Sequence, residues 1–383
     1  MATGPADTAR AADTALSADQ ALASVALGHG RSEMRTFPLR DHPPDAGWLR
    51  VEASGVCGTD VGLFAGALDG PRILGHHVLG QIASLGDVAA ARWGLRPSDW
   101  VVLEEYLPCG ECQMCRTDRY RLCADTDLWK GGRRIGLVDA AEEPGLWGGN
   151  AQYLYLPPNA VLHPVPEGLA PSLAVWALPL ANALDWVLGA GRLGEGETIV
   201  ILGPGYHGIA AAAVARDAGA EHVVVCGLPR DRARLRLAES LGATTLEPAG
   251  DDLAGAVADL TGRSGADVVL DLVAAGPETL GDGVGLLGQG GRLVLASPKS
   301  PALAGVDTAA LIRLTAGVVG VRGRSPQRVR ESLALLRRGG LGLERVPTEE
   351  VPLAEVGSML QRLAAGEGPD TPHVVVRPWP ADR

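Results

Sequence analysis

The chain has 383 residues, 46% of them hydrophobic, enough for two domains with their own cores and far too long for a disulfide-stapled mini-protein. Its 34 basic and 45 acidic residues leave a formal charge of −11, which repels nucleic acid and anionic membrane and restricts any phosphate-bearing ligand to a local pocket. The start, MATGPADTARAADTALSADQ, lacks a basic segment followed by an apolar run, and no later stretch approaches 18 unbroken apolar residues, so a cytoplasmic protein is expected.

Residues 1–22 are rich in alanine and aspartate without a core face and read as a tail. From about 23 to 170, short β-type runs such as GWLRVEASGV, VLGQIASLG, DWVVLEEYL and AQYLYL alternate with Gly and Pro punctuation, the texture of a mostly antiparallel domain. Within it, Cys109, Cys112, Cys115 and Cys123 fall at C-x2-C-x2-C-x7-C. Four thiolates close a tetrahedral zinc shell and leave no open position, so this zinc is structural. Two disulfides are the competing reading, but six cysteines in a long chain without an export signal do not make an oxidised scaffold.

The texture changes at residue 171. After an apolar helical stretch, Pro171 to Gly189, strands and helices alternate: TIVILG, YHGIAAAAVARDAG, HVVVCG and DRARLRLAESLG, then ADVVLDLV, GRLVLAS and GVVGVRG as three more buried strands, with a late helix in RVRESLALLRRG. An α/β doubly wound parallel sheet over 171–339 is expected. Residues 340–383, with ERVPTEEVPL, VGSMLQRLAAG and PHVVVRPW, break the alternation and are expected to return to the first domain.

The turn Gly203-Pro204-Gly205-Tyr206-His207-Gly208 fits G-x-G-x-x-G. It follows a strand and opens a helix, so backbone N–H groups at the helix start can face a pyrophosphate. At the end of the next strand, Gly227 stands where an acidic side chain grips the ribose hydroxyls of NAD, and Arg230 and Arg232 follow. The chemistry leans to NADP over NAD, with both arginines on a solvated helix face as the alternative.

CGTD at Cys57–Asp60, GH at Gly75-His76, the four-cysteine loop and the later dinucleotide turn occur in an order that resembles the zinc-dependent medium-chain dehydrogenase/reductase family, home of alcohol, sorbitol and threonine dehydrogenases. The resemblance implies a GroES-like catalytic domain completed by the C-terminal segment, an inserted Rossmann domain and a homodimer or homotetramer. It implies hydride transfer between an alcohol or carbonyl substrate and a nicotinamide, with a second, catalytic zinc as Lewis acid on the substrate oxygen. Cys57 and His76 then correspond to zinc ligands, Thr59 to the proton-transfer hydroxyl and Asp60 to a partner behind the ligands.

Three positions depart from the family. His77 replaces the usual acid after the histidine, either as a new ligand or as the loss of a carboxylate. Leu178 stands where a third ligand, Glu, precedes Pro-Leu-Ala; Asn182, Asp185 and Glu105 are candidate substitutes. Gly62 replaces the histidine that relays the proton outward. The expected function is interconversion of a secondary alcohol, a polyol or cyclic hydroxyl compound among the candidates, with its ketone. The departures keep two alternatives open: a carbonyl or enoyl reductase without catalytic zinc, and a nucleotide-binding or redox-sensing protein without turnover.

Overall fold

The computed structural model describes residues 19–247, 252–274, 278–298 and 306–380. A hairpin of β1 (Gln20–Gly28) and β2 (Arg31–Pro38) opens it. β1 starts inside the 1–22 stretch expected as tail; the alternation of Ala21, Ala23 and Val25, all fully buried, gives it a core face that alanine's small size hid.

Next come β3 (Gly47–Gly55), β4 (His77–Leu85), β5 (Trp100–Leu103), β6 (Tyr153–Leu156) and β7 (Leu162–Pro164). The second sheet takes β8 (Thr198–Leu202), β9 (His222–Cys226), β10 (Thr244–Leu246), β11 (Ala266–Asp271), β12 (Leu287–Leu295) and β13 (Gly317–Gly320). β14 (Thr348–Pro352) and β15 (His373–Arg377) end the chain and add to the first sheet, whose order is β14-β15-β3-β4-β5-β7 with β6 on β3. Pairing there is antiparallel except between β14 and β15.

The second sheet is wholly parallel in the order β10-β9-β8-β11-β12-β13. Numbered within the domain this is 3-2-1-4-5-6, the Rossmann order, and its crevice opens at the carboxyl end of β8 where the winding reverses. Every residue of β8, TIVIL, is buried, and each such aliphatic side chain contributes about 1.5–3 kcal/mol. The helix Tyr206–Asp217 lies against the sheet on Ala210 to Ala213, whose small side chains let it approach closely.

β13 departs from the sequence reading. All four residues of GVVG are exposed, with Val318 at 42% and Val319 at 37%, because no strand follows it and no helix among the described residues covers its face. The apolar stretch expected as one helix from Pro171 to Gly189 is a short turn Pro171–Ala174, a fully buried helix Ala177–Leu184 and a π-helical turn Asp185–Ala190.

Candidate active site and metal centres

The four cysteines of the loop converge. Sγ of Cys109 lies 3.8 Å from that of Cys115 and 3.6 Å from that of Cys123, and Cys112 lies 3.6 Å from Cys115. A tetrahedron of sulfurs about 2.3 Å from a central zinc has edges of about 3.8 Å. All six cysteines are free thiols, so the disulfide reading fails. Backbone N–H groups of Cys112 and Cys109 donate to the sulfurs of Cys109 and Cys123, at 3.3 and 3.5 Å, and stabilise thiolate charge.

A second cluster forms where β3 ends and β4 begins. Cys57 caps the helix Gly58–Ala65, and His77 begins β4 opposite Gly55. Gly75 makes the turn between them at φ +91°, where a Cβ would sit 2.6 Å from Ser54 Oγ. Cys57, His76 and His77 bring one ligand atom each within 4.8 Å of one another. Asp60, 2% exposed, organises the set: Oδ2 accepts from the Cys57 N–H at 2.9 Å, and Oδ1 accepts from the Gly75 N–H and from His76 Nδ1, both at 3.1 Å. With its proton on Nδ1, His76 keeps a lone pair on Nε2 for a metal.

The charges agree with a cation. Burial opposes protonation of His76, but the Asp60 carboxylate and the Cys57 sulfur outweigh it and hold its pKa well above the ordinary value. Burial, then the charges of His76, Arg324 and His207, hold His77 well below its ordinary value and keep it as the neutral imidazole that ligates. Its Nδ1 is buried with no hydrogen-bond partner, an orphan that metal coordination accounts for. Three donors with room for one more suit a catalytic zinc.

The other candidate ligands are occupied elsewhere. Leu178 packs in the core. Asp185 accepts from the Ser325 backbone N–H and lies 3.5 Å from Arg328. Glu105 is paired with Arg324, and Asn182 accepts from Arg324 at 3.3 Å. Thr59 is exposed beside the ligand, its Oγ1 3.9 Å from Cys57 Sγ. A Cβ at Gly62 would meet nothing within 4 Å.

Sequence reasoning missed Arg324. It is 1% exposed and binds Glu104 at 3.2 Å as well as Glu105 and Asn182. Burial opposes its charge, yet the two carboxylates raise its pKa further. The adjacent acids Glu104 and Glu105 ending an apolar strand were the available signal, because buried carboxylates demand a cation.

In the dinucleotide turn, Gly203 has φ +104° and a Cβ on Gly208 would stand 2.1 Å from the Gly203 carbonyl oxygen, so close contact of helix and strand depends on glycine. Gly205 caps the helix and faces open space, where a pyrophosphate can approach backbone N–H groups. The side chains of Tyr206 and His207 turn elsewhere: Tyr206 donates to the Val175 carbonyl at 3.3 Å, and His207 stands edge-on to His77, ring centres 5.9 Å apart. A Cβ on Gly227 would press on Pro204 at 2.9 Å, so that corner excludes the acid typical of NAD sites. Arg230 is exposed, while the Arg232 Nε–H is shared between the two carboxylate oxygens of Glu247, at 2.7 and 3.0 Å. Cys226 ends β9 in the core, its thiol pushed up to about 12 by burial.

The chain matches the model of the alcohol dehydrogenase GroES-like domain over residues 43–167 and that of the zinc-binding dehydrogenase over residues 208–338. It is 34% identical over 356 residues to a probable alcohol dehydrogenase of Mycobacterium tuberculosis, covering 91% of this chain and 96% of that one. The chain belongs to the zinc-dependent medium-chain dehydrogenase/reductase family. Other members include an erythritol/L-threitol dehydrogenase of Mycolicibacterium smegmatis, 33% identical over 60% of this chain and 63% of its own. A zinc-binding dehydrogenase of Sinorhizobium meliloti solved with NADP superposes with a TM-score of 0.80 at 26% identity, covering 94% of this chain and 99% of that one. The GroES-like and Rossmann folds expected from the sequence are both present, and the protein is an NAD(P)-dependent oxidoreductase that interconverts alcohol and ketone. No helix among the described residues is long and apolar enough to cross a membrane.

Proposed function

We propose that the chain transfers a hydride between a secondary alcohol and NADP, with a structural zinc on Cys109, Cys112, Cys115 and Cys123 and a catalytic zinc on Cys57, His76 and His77. The observation that carries the reading is the second cluster: three donors, two of them aligned by one buried Asp60, with the exposed Thr59 alongside. Zinc supplies a Lewis acid that stabilises developing alkoxide charge. Asp60 holds the ligands in position, and the Thr59 hydroxyl takes the substrate proton at the exposed edge. Since Gly62 offers no imidazole, that proton leaves from Thr59 directly to water.

The lack of an acidic side chain at Gly227 and the exposed Arg230, which has no ion-pair partner among the described residues, support NADP, with Arg232 in reserve behind its Glu247 pair. The exposed apolar edge of β13 supports a homodimer or homotetramer, because an unpaired strand edge bearing valines seeks a mate. A thiolate-rich zinc protein suits the reducing cytoplasm. Oxidation of a secondary alcohol with NADP, abolished by Cys57→Ala while cofactor affinity is kept, tests the reading; turnover that survives Cys57→Ala contradicts it.

A further inference from the structure

The hydrogen bonds around Asn182 fix a proton. Guanidinium groups only donate, so the 3.3 Å contact from Arg324 Nη1 sets the oxygen of the Asn182 amide towards Arg324 and its NH2 towards His207, 3.0 Å from Nε2. The amide therefore donates to Nε2, and the neutral ring carries its proton on Nδ1. Among the described residues no acceptor meets Nδ1, and it is not one of the polar atoms sealed from solvent. The Nδ1–H thus keeps contact with solvent, on a ring whose centre stands 5.9 Å from that of His77 and 5.0 Å from that of Trp186.

We infer that His207 is a specificity-determining residue, a hydrogen-bond donor through Nδ1 to a second oxygen on the carbon next to the one oxidised, with Asn182 and Arg324 as positioning residues. This rests on the proposed reading, in which the reacting oxygen belongs to the Cys57, His76 and His77 centre. The neighbouring oxygen of a vicinal diol or a 2-hydroxy ketone then falls on the side where the His207 ring stands. A donor fixed this close to the ligand cluster discriminates strongly, since a ligand lacking the acceptor leaves it unpaired. Arg324 is itself anchored by Glu104 and Glu105 of the catalytic domain, so the chain of bonds also ties the donor's orientation to the position of the nucleotide domain.

Nitrogen-15 spectra of histidine-labelled protein test it, with the His207 signal assigned by its loss in His207→Phe. The free protein shows the Nδ1–H tautomer, Asn182→Asp converts it to Nε2–H, and 2,3-butanediol shifts the Nδ1–H signal more than 2-butanol does. In turnover, the preference for 2,3-butanediol over 2-butanol falls about tenfold in both variants. An Nε2–H tautomer in the unaltered protein, equal shifts with the two alcohols, or an unchanged preference overturns the inference. A protein that oxidises neither alcohol refutes the proposed function, and the spectra, which need no turnover, still decide the role of His207.

Discussion

Asp60 Oδ1 lies 3.1 Å from His76 Nδ1, while the other oxygen of the same carboxylate holds the backbone of Cys57. One buried side chain thus sets two of the three donors of the cluster. Asp60→Asn places a group of the same shape there that carries no charge. Zinc affinity at the second site falls about 10–100-fold, and the four-cysteine site is unaffected. Competition with a chromophoric chelator reads the two sites separately; loss of both zincs together would assign Asp60 to general folding.

On the proposed reading, cofactor choice turns on Arg230. Titration of the protein with each nucleotide finds NADPH bound more tightly than NADH. Arg230→Ala weakens NADPH about tenfold and leaves NADH nearly unchanged. Arg232→Ala has the smaller effect, since Glu247 already engages that guanidinium. Tighter NADH binding, or a dominant effect of Arg232, reverses this reading.

The edge of β13 is the expected subunit contact. Val318→Lys together with Val319→Lys places two charges where strands would meet, so the mass measured by light scattering drops to that of one chain. An oligomer that persists through both substitutions must be held by another surface.

His373 introduces acid sensitivity. It is stacked on Trp176, ring centres 4.2 Å apart, with Nε2 buried and partnerless. Burial, helped by the charge of Arg377, lowers its pKa to about 3. An unfolded chain takes up the proton near pH 6.5, so between these values the unfolded state binds more protons and stability falls as pH falls. Above about pH 6.5 the contribution is complete. His373→Phe keeps the ring and removes the proton. Urea midpoints at pH 7.5 and 5 differ less in the variant; an unaltered difference assigns the acid sensitivity to other groups.

Features set by local spacing were legible in the sequence. The four-cysteine loop needs 15 residues of chain, and the dinucleotide turn needs one strand, six residues and a helix start. Burial that depends on what lies overhead was not: GVVG in β13 has the composition of a buried strand and sits at an uncovered edge. Long-range pairing was equally hidden. Arg324 meets Asn182, Glu105 and Glu104 across 142, 219 and 220 positions, and no pattern near any of them names the others. His77 was ambiguous for a related reason: whether a histidine beside a ligand becomes one depends on where its ring turns, which the three-dimensional pairing of β3 with β4 decides.

Zinc content of protein purified without chelators bears most directly on the catalytic centre. Elemental analysis gives two zincs per chain, Cys57→Ser retains one and loses alcohol oxidation, and Cys112→Ser loses the other together with thermal stability. One zinc per chain in the unaltered protein, with carbonyl reduction intact, contradicts a metal on Cys57, His76 and His77 and identifies a reductase that works without it.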